Sequence, residues 1–293
     1  MPYIPTKILL KPYSSSIMQS EVFNGKRFFT YFKYDLMQTL RIHVKAAILI
    51  GFAGVIFYVL GIGFNALAST IASGHGVWQA PGFGGRLVIF ILASTALELY
   101  QIRTYGYITN RRKGSSWLLV PASAFEKWLS MILMTLIVIP VAFICTYTAT
   151  DAILSLVDPT YGKMLLSSAI DAFGEIQTKL AAANEEYTTS WSLSFMIVPY
   201  LVGFCCNFLY FLFCGITFKR YKLLYAFLIL FGLSIVGSSI STWLGIQGHI
   251  EIEDFAQAEQ FIRHTVSVVT VYVGIFAVLL AGGIFYRIKT LKH

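Results

Sequence analysis

Residues 128–150 read WLSMILMTLIVIPVAFICTYTAT, 23 consecutive residues without Asp, Glu, Lys or Arg. Wound as an α-helix, such a run is about 35 Å long, enough to cross the roughly 30 Å hydrocarbon layer of a bilayer. In hydrocarbon every backbone N–H and C=O must find its partner inside the segment, so a single run of this kind spans as a helix. Working outward from it, five more apolar stretches can be drawn at 46–68, 87–108, 191–217, 223–245 and 264–286. The composition of the 293-residue chain agrees: 57% is hydrophobic and 12% charged, about half the charge of a soluble domain, and the mean hydropathy is +0.70. An ordinary soluble protein is excluded. The short alternating segments of an outer-membrane barrel are absent, so the expected fold is an all-α polytopic membrane protein with six transmembrane helices.

Orientation follows from charge. The chain carries 22 Lys+Arg and 14 Asp+Glu, a formal charge of +8, and the excess is not spread evenly. The N-terminal region, the connections between spans 2 and 3 and between spans 4 and 5, the C-terminus and the adjoining span ends hold 18 basic and 4 acidic residues, and the other side holds 4 and 10. Cations are retained on the cytoplasmic side, which places both termini there and assigns the positive charge to the lipid bilayer rather than to nucleic acid. Residues 1–24 lack the sustained apolar core of a cleavable signal peptide, so the first span is expected to direct insertion. The expected organisation is a cytoplasmic N-terminal segment over 1–45, a six-helix domain over 46–286 and a basic tail over 287–293. Before the first span, Phe28, Phe29, Phe32, Leu36, Leu40 and Val44 recur at helical spacing between charged residues, the pattern of an amphipathic helix at the inner leaflet.

Two outward segments are more than turns. Residues 151–190 form a long insertion in which Leu166, Ile170, Phe173, Ile176 and Leu180 share one helical face opposite Asp171, Glu175 and Lys179. Residues 245–264 are acidic, with Glu251, Glu253, Asp254 and Glu259, and a helical cap at the membrane surface is expected for both. The four cysteines, Cys145, Cys205, Cys206 and Cys214, lie within apolar runs without metal-ligand spacing and read as packing residues. Histidines occur singly, so no metal site is expected. No internal repeat stands out.

Between the second and third spans, residues 111–127 read RRKGSSWLLVPASAFEK. Arg111, Arg112 and Lys113 stay beside anionic headgroups, and Ser115 or Ser116 can cap a short turn. Trp117, Leu118, Leu119 and Val120 are too short a run to span but apolar enough to dock on a partner. Pro121 stops the turn, and Ser123 with Glu126 makes an S-x-x-E capping box that sets where the third span begins. A basic run followed by Gly, Ser, two Leu, x-Pro-x-Ser and then Lys127 at the head of the third span resembles the permease subunits of ATP-binding-cassette exporters with the type-2 fold. Six spans with both termini inside, an N-terminal amphipathic helix and a basic end such as Tyr286-Arg287-Ile288-Lys289 recur in that family too. Residue-level similarity is confined to 111–127 and the last dozen residues.

The resemblance implies that residues 111–120, with Pro121, Glu126 and Lys127, couple to a separate cytoplasmic ATPase subunit that binds ATP and Mg, that two permease chains face one another, and that the protein sits in a bacterial cytoplasmic membrane. One departure stands out. The family places a re-entrant helix pair before the last span, whereas the large outward insertion here follows the third.

The remaining motifs narrow the choice. No phosphate-binding G-x-x-x-x-G-K-[ST] loop occurs in the chain, so ATP, if it is used, binds elsewhere, and no catalytic motif marks the chain as an enzyme. Glu98 lies within the second span, where a carboxylate is costly. Gln101 and Arg103 are its candidate partners on the same helix, pairing across the bundle is the other structural option, and an intramembrane enzyme using Glu98 is the functional alternative. Ser234, Ser238, Ser241 and Gly245 form a stripe of small residues in the fifth span, read as helix packing or as the lining of a substrate path. Pro140 and Pro199 are expected to loosen their spans. The leading expectation is therefore a permease moving an unidentified substrate outward, with an amphipathic cargo favoured by the apolar surfaces. A non-transporting membrane scaffold or sensor is a further alternative.

Overall fold

The computed structural model describes residues 23–76, 79–109, 114, 117, 119–183, 193–247 and 255–291. Among them there are helices and no strands. Helix α1 spans Gly25–Gly51, α2 Ala53–Ser73 and α3 Phe83–Thr104, extended by a 3-10 turn at Gly106–Thr109. Helices α4, Ala124–Leu133, and α5, Ile139–Val157, are joined by a π-helical turn at Met134–Val138. Then come α6 at Leu165–Ala183, α7 at Leu193–Thr217, α8 at Lys222–Gln247 and α9 at Phe255–Thr290.

Among the described residues six segments are long and apolar enough to cross a membrane: Ala53–Ala72, Phe83–Thr109, Ala124–Val157, Ile197–Thr217, Lys222–Ser239 and Phe261–Thr290. They correspond one for one to the stretches read from hydropathy. The boundaries shift for local reasons. The third span starts at residue 124 because the capping box forms: Ser123 Oγ accepts from the Glu126 N–H at 3.2 Å and the Glu126 carboxylate accepts from the Ser123 N–H at 2.9 Å, satisfying two of the free donors of a helix start. The π turn lies just before Pro140. Proline has no N–H and its ring crowds the carbonyl four residues earlier, so the widened turn lets the span continue past it. Helix α2 ends at Gly74, which takes a left-handed φ of 74° and returns its N–H to the Thr70 carbonyl.

Helix α7 is the centre of the bundle. Phe208, Leu209, Leu212, Cys214 and Ile216 are buried along it, and its most extensive packing is against α9, then α3. Lipid tails are as apolar as leucine, so burial from water does not drive this association and close fit must. Gly215 shows how. A Cβ there would lie 2.9 Å from the Ile102 carbonyl oxygen and 3.0 Å from its Cα, so only glycine lets α7 meet the α3 backbone.

Helix α1 belongs to the bundle as well. Arg27 faces Glu126, Asp35 faces Ser130, Gly51 faces Thr146 and, on α2, Tyr58 faces Asp158. The chain from α1 into α2 thus climbs beside the third span in the same direction. Its buried stripe is Phe28, Tyr31 and Asp35, flanked by partly buried Phe32 and Leu36. Phe29, expected on the apolar face, is 70% exposed, and the side chains of Leu40 and Val44 lie outside the described residues.

The insertion after the third span contains a helix as expected, α6. Leu165 at its start is buried, but Leu166, Ile170 and Ile176 are exposed. Of the acidic 245–264 segment, residues 255–264 form the first turns of α9, and 248–254 lie outside the described residues.

Candidate functional site

The polar chemistry gathers at the two ends of the bundle. At the basic end, the connection between the second and third spans is tied down by α1. The Glu126 carboxylate is fully buried and receives, besides the Ser123 N–H, the Asn24 N–H at 2.9 Å and the Arg27 guanidinium through Nε at 2.7 Å and Nη2 at 2.8 Å. The carboxylate holds Arg27 even more firmly protonated than usual, through their hydrogen bond first. One side chain therefore caps the third span and clamps α1 to it.

Lys127 points the other way, into the connection itself. Its Nζ donates to the Trp117 carbonyl at 3.1 Å and lies 4.7 Å from the indole centroid, a cation–π contact in a largely desolvated place. The indole Nε1 donates to the Tyr31 hydroxyl at 3.0 Å. Trp117 is 5% exposed, while Leu119, two residues on, is 82% exposed. The tryptophan is thus an internal anchor held by α1 and α4, and the leucine projects from the braced segment. Arg111, Arg112, Lys113, Ser116 and Leu118 lie outside the described residues.

Behind the anchor is a buried carboxylate that hydropathy does not single out. Asp35 Oδ2 accepts from the Ser130 hydroxyl at 2.7 Å and the Tyr105 hydroxyl at 2.9 Å. Burial raises its pKa above the ordinary carboxylate value, and the two hydroxyl donors offset part of that rise. Tyr31 nearby is pushed up by burial in the same way. In the sequence, Asp35 sits among the charged residues between the apolar positions of α1. The signal that identifies it is its spacing from Phe28 and Tyr31, which puts all three on one helical stripe.

A second knot joins the connections of spans 2–3 and 4–5. Lys222 Nζ donates to Thr109 Oγ1 at 2.6 Å, to the Gly215 carbonyl at 2.7 Å and to the Gly106 carbonyl. The α3–α7 contact at Gly215 makes this possible by bringing those carbonyls side by side. The residue before it, Tyr221, has φ 49°, a left-handed conformation that costs a non-glycine residue roughly 1 kcal/mol or more.

The opposite end carries a clamp on the insertion that follows the third span. Arg86 of α3 and Asp151 of α5 form a buried ion pair at 3.6 Å. Asp151 also accepts from the Tyr161 hydroxyl at 2.7 Å and from the Leu165 N–H that opens α6. The Arg86 guanidinium donates to the Lys163 carbonyl at 3.0 Å and lies 4.3 Å from the Tyr161 ring centroid. Beside it Tyr58 donates to Asp158 at 2.8 Å; the Thr160 hydroxyl, then the Tyr58 hydroxyl, keep that half-buried carboxyl below its usual range.

The other sequence candidates fall elsewhere. Glu98 is half-buried and hydrogen-bonded to Asn207 of α7, a partner across the bundle. Gln101, considered as its neighbour on α3, is fully buried, with its amide nitrogen donating to the Leu97 carbonyl at 3.3 Å. Ser234 and Ser238 lie on an exposed part of α8. Ser241 and Gly245 are in α8, but their side chains lie outside the described residues.

Compared with family models, with curated proteins and with solved structures, the chain has no match.

Proposed function

We propose that this chain is the permease subunit of an ATP-driven exporter, with its basic end in the cytoplasm, coupled through residues 111–127 to a separate ATPase and paired with a second permease chain. A single observation carries the proposal. The connection between the second and third spans is braced like a lever: Trp117 is locked from one side by Tyr31 and from the other by Lys127, the next turn is locked by Arg27 and Glu126, and Leu119 projects into the open. A motor that pushes on a loose loop moves only the loop. A segment bonded to both α1 and α4 transmits the push to the third span and to the helix that climbs beside it, which is what a shift between two packings of the bundle requires. The bulge before Pro140 gives that span a natural place to flex. In this scheme Leu119 is the docking contact and Trp117 is its foundation. The exposed Ser234–Ser238 face of α8 is offered to the second chain or to the substrate. The cargo is amphipathic and leaves toward the outer leaflet.

The test is purification from native membranes in mild detergent. A stoichiometric subunit carrying a phosphate-binding loop and hydrolysing ATP is expected with the wild-type chain and lost with Leu119→Glu, while the variant keeps the wild-type melting temperature. Retention of that subunit by Leu119→Glu, or its absence from the wild type, overturns the assignment.

A further inference from the structure

Beside the Lys222 knot, a cavity of about 620 Å³ opens between α3 and α8, walled by Leu99, Tyr100, Arg103, Tyr107, Lys222 and Leu223. Ala96, Leu99, Tyr100 and Arg103 in its wall share one face of α3, and Tyr107 follows in the 3-10 turn. The chemistry is divided along that wall. The upper part is aliphatic, and the end nearest the connections carries an exposed guanidinium, a half-buried ammonium and a tyrosine hydroxyl.

We propose that this cavity binds one acidic glycerophospholipid of the leaflet on the basic side, with its phosphate at Arg103 beside Lys222 and an acyl chain along Leu99 and Leu223. Three observations converge. First, among the described residues neither cation is in a salt bridge, and no acidic side chain lines the cavity. A charge at the edge of hydrocarbon normally acquires a counter-charge, and none of the described residues supplies one here.

Second, Lys222 cannot swing away to reach water. Its three protons are engaged by Gly106, Thr109 and Gly215, so its charge is held at the cavity wall. Third, α8 begins at Lys222, and the unsatisfied N–H groups and dipole of a helix start favour an anion there. The aliphatic upper wall and the place of the cavity at the ends of two membrane-spanning segments commit the occupant to a lipid rather than to a free anion.

The experiment is native mass spectrometry of the whole chain, released from micelles containing equal amounts of phosphatidylglycerol and phosphatidylcholine with identical acyl chains. The expected result is one retained phosphatidylglycerol in preference to phosphatidylcholine. Arg103→Gln should lower that retention about fivefold, the effect of one basic side chain near an anionic surface. Ala96→Trp, which narrows the cavity without changing charge, should lower it as well. Lys219→Gln and Arg220→Gln, exposed cations outside the cavity, should leave it unchanged. Equal retention of both lipids overturns the proposal, as does an equal loss in Lys219→Gln, which marks a general charge effect. Displacement by excess inorganic phosphate overturns it in favour of a free-anion site. Should Ala96→Trp fail to give a wild-type melting profile, Arg103→Gln against Lys219→Gln decides alone.

Discussion

Asp35 and Asp151 show how differently two buried carboxylates can be used. Asp35 meets only hydroxyl donors, and burial raises its pKa. A carboxyl whose folded pKa lies above the unfolded value of about 3.9 favours the native state fully below that value and loses its contribution as pH rises through the folded one. The detergent-solubilised chain should therefore become less heat-stable through this group as pH rises above the unfolded value. Asp35→Asn, which still accepts from Tyr105 and Ser130, should flatten that slope, and an unchanged slope would exonerate Asp35. Asp151 is instead paired with Arg86 and bonded to Tyr161 and Leu165. Asp151→Ala strands the guanidinium and should cost about 3–5 kcal/mol, read as a fall in melting temperature together with faster proteolysis of α6. Exchanging the two residues should not rescue it, because an arginine at 151 cannot accept from the Leu165 N–H.

Among the helices, the α3–α7 crossing is the contact with least tolerance. At Gly215 a methyl group would press on the backbone of Ile102 rather than on a flexible side chain. Gly215→Ala should therefore destabilise by about 1–3 kcal/mol and pull apart the acceptors of Lys222. A melting temperature equal to wild type would mean that the crossing is looser than its geometry. Gly283, by contrast, meets the ring of Phe213 at 3.2 Å, a side chain rather than backbone, and Gly283→Ala should be milder. The element boundaries were partly readable beforehand. S-x-x-E before an apolar run announced the start of the third span, and Pro140 announced its loosening. That the loosening takes the form of a π turn depends on how α4 and α5 pack against α1 and α7, which no local pattern encodes.

For the whole molecule, the proposed orientation predicts opposite labelling of the two polar ends. In a chain whose four cysteines are replaced by alanine, Leu119→Cys should react with a membrane-impermeant maleimide only in inside-out vesicles and Ile176→Cys only in intact cells; both positions are exposed. Labelling of both from one side would break the topology on which the coupling proposal stands.

Six apolar runs and a lopsided distribution of cations were legible in the amino-acid order alone, because the length of a hydrocarbon crossing and the preference of cations for one face act on each segment separately. The braced segment at Trp117, the clamp on the insertion after the third span and the Lys222 knot were not. Each is anchored by partners far apart in the chain, 65 positions for Arg86 and Asp151, 99 for Arg27 and Glu126 and 116 for Lys222 and Gly106, and such partners are chosen only when helices pack. Burial then turns a charge that looked like surface, as Asp35 did, into an internal bond, since a low-dielectric interior tolerates a charge only where neighbouring elements bring donors to it.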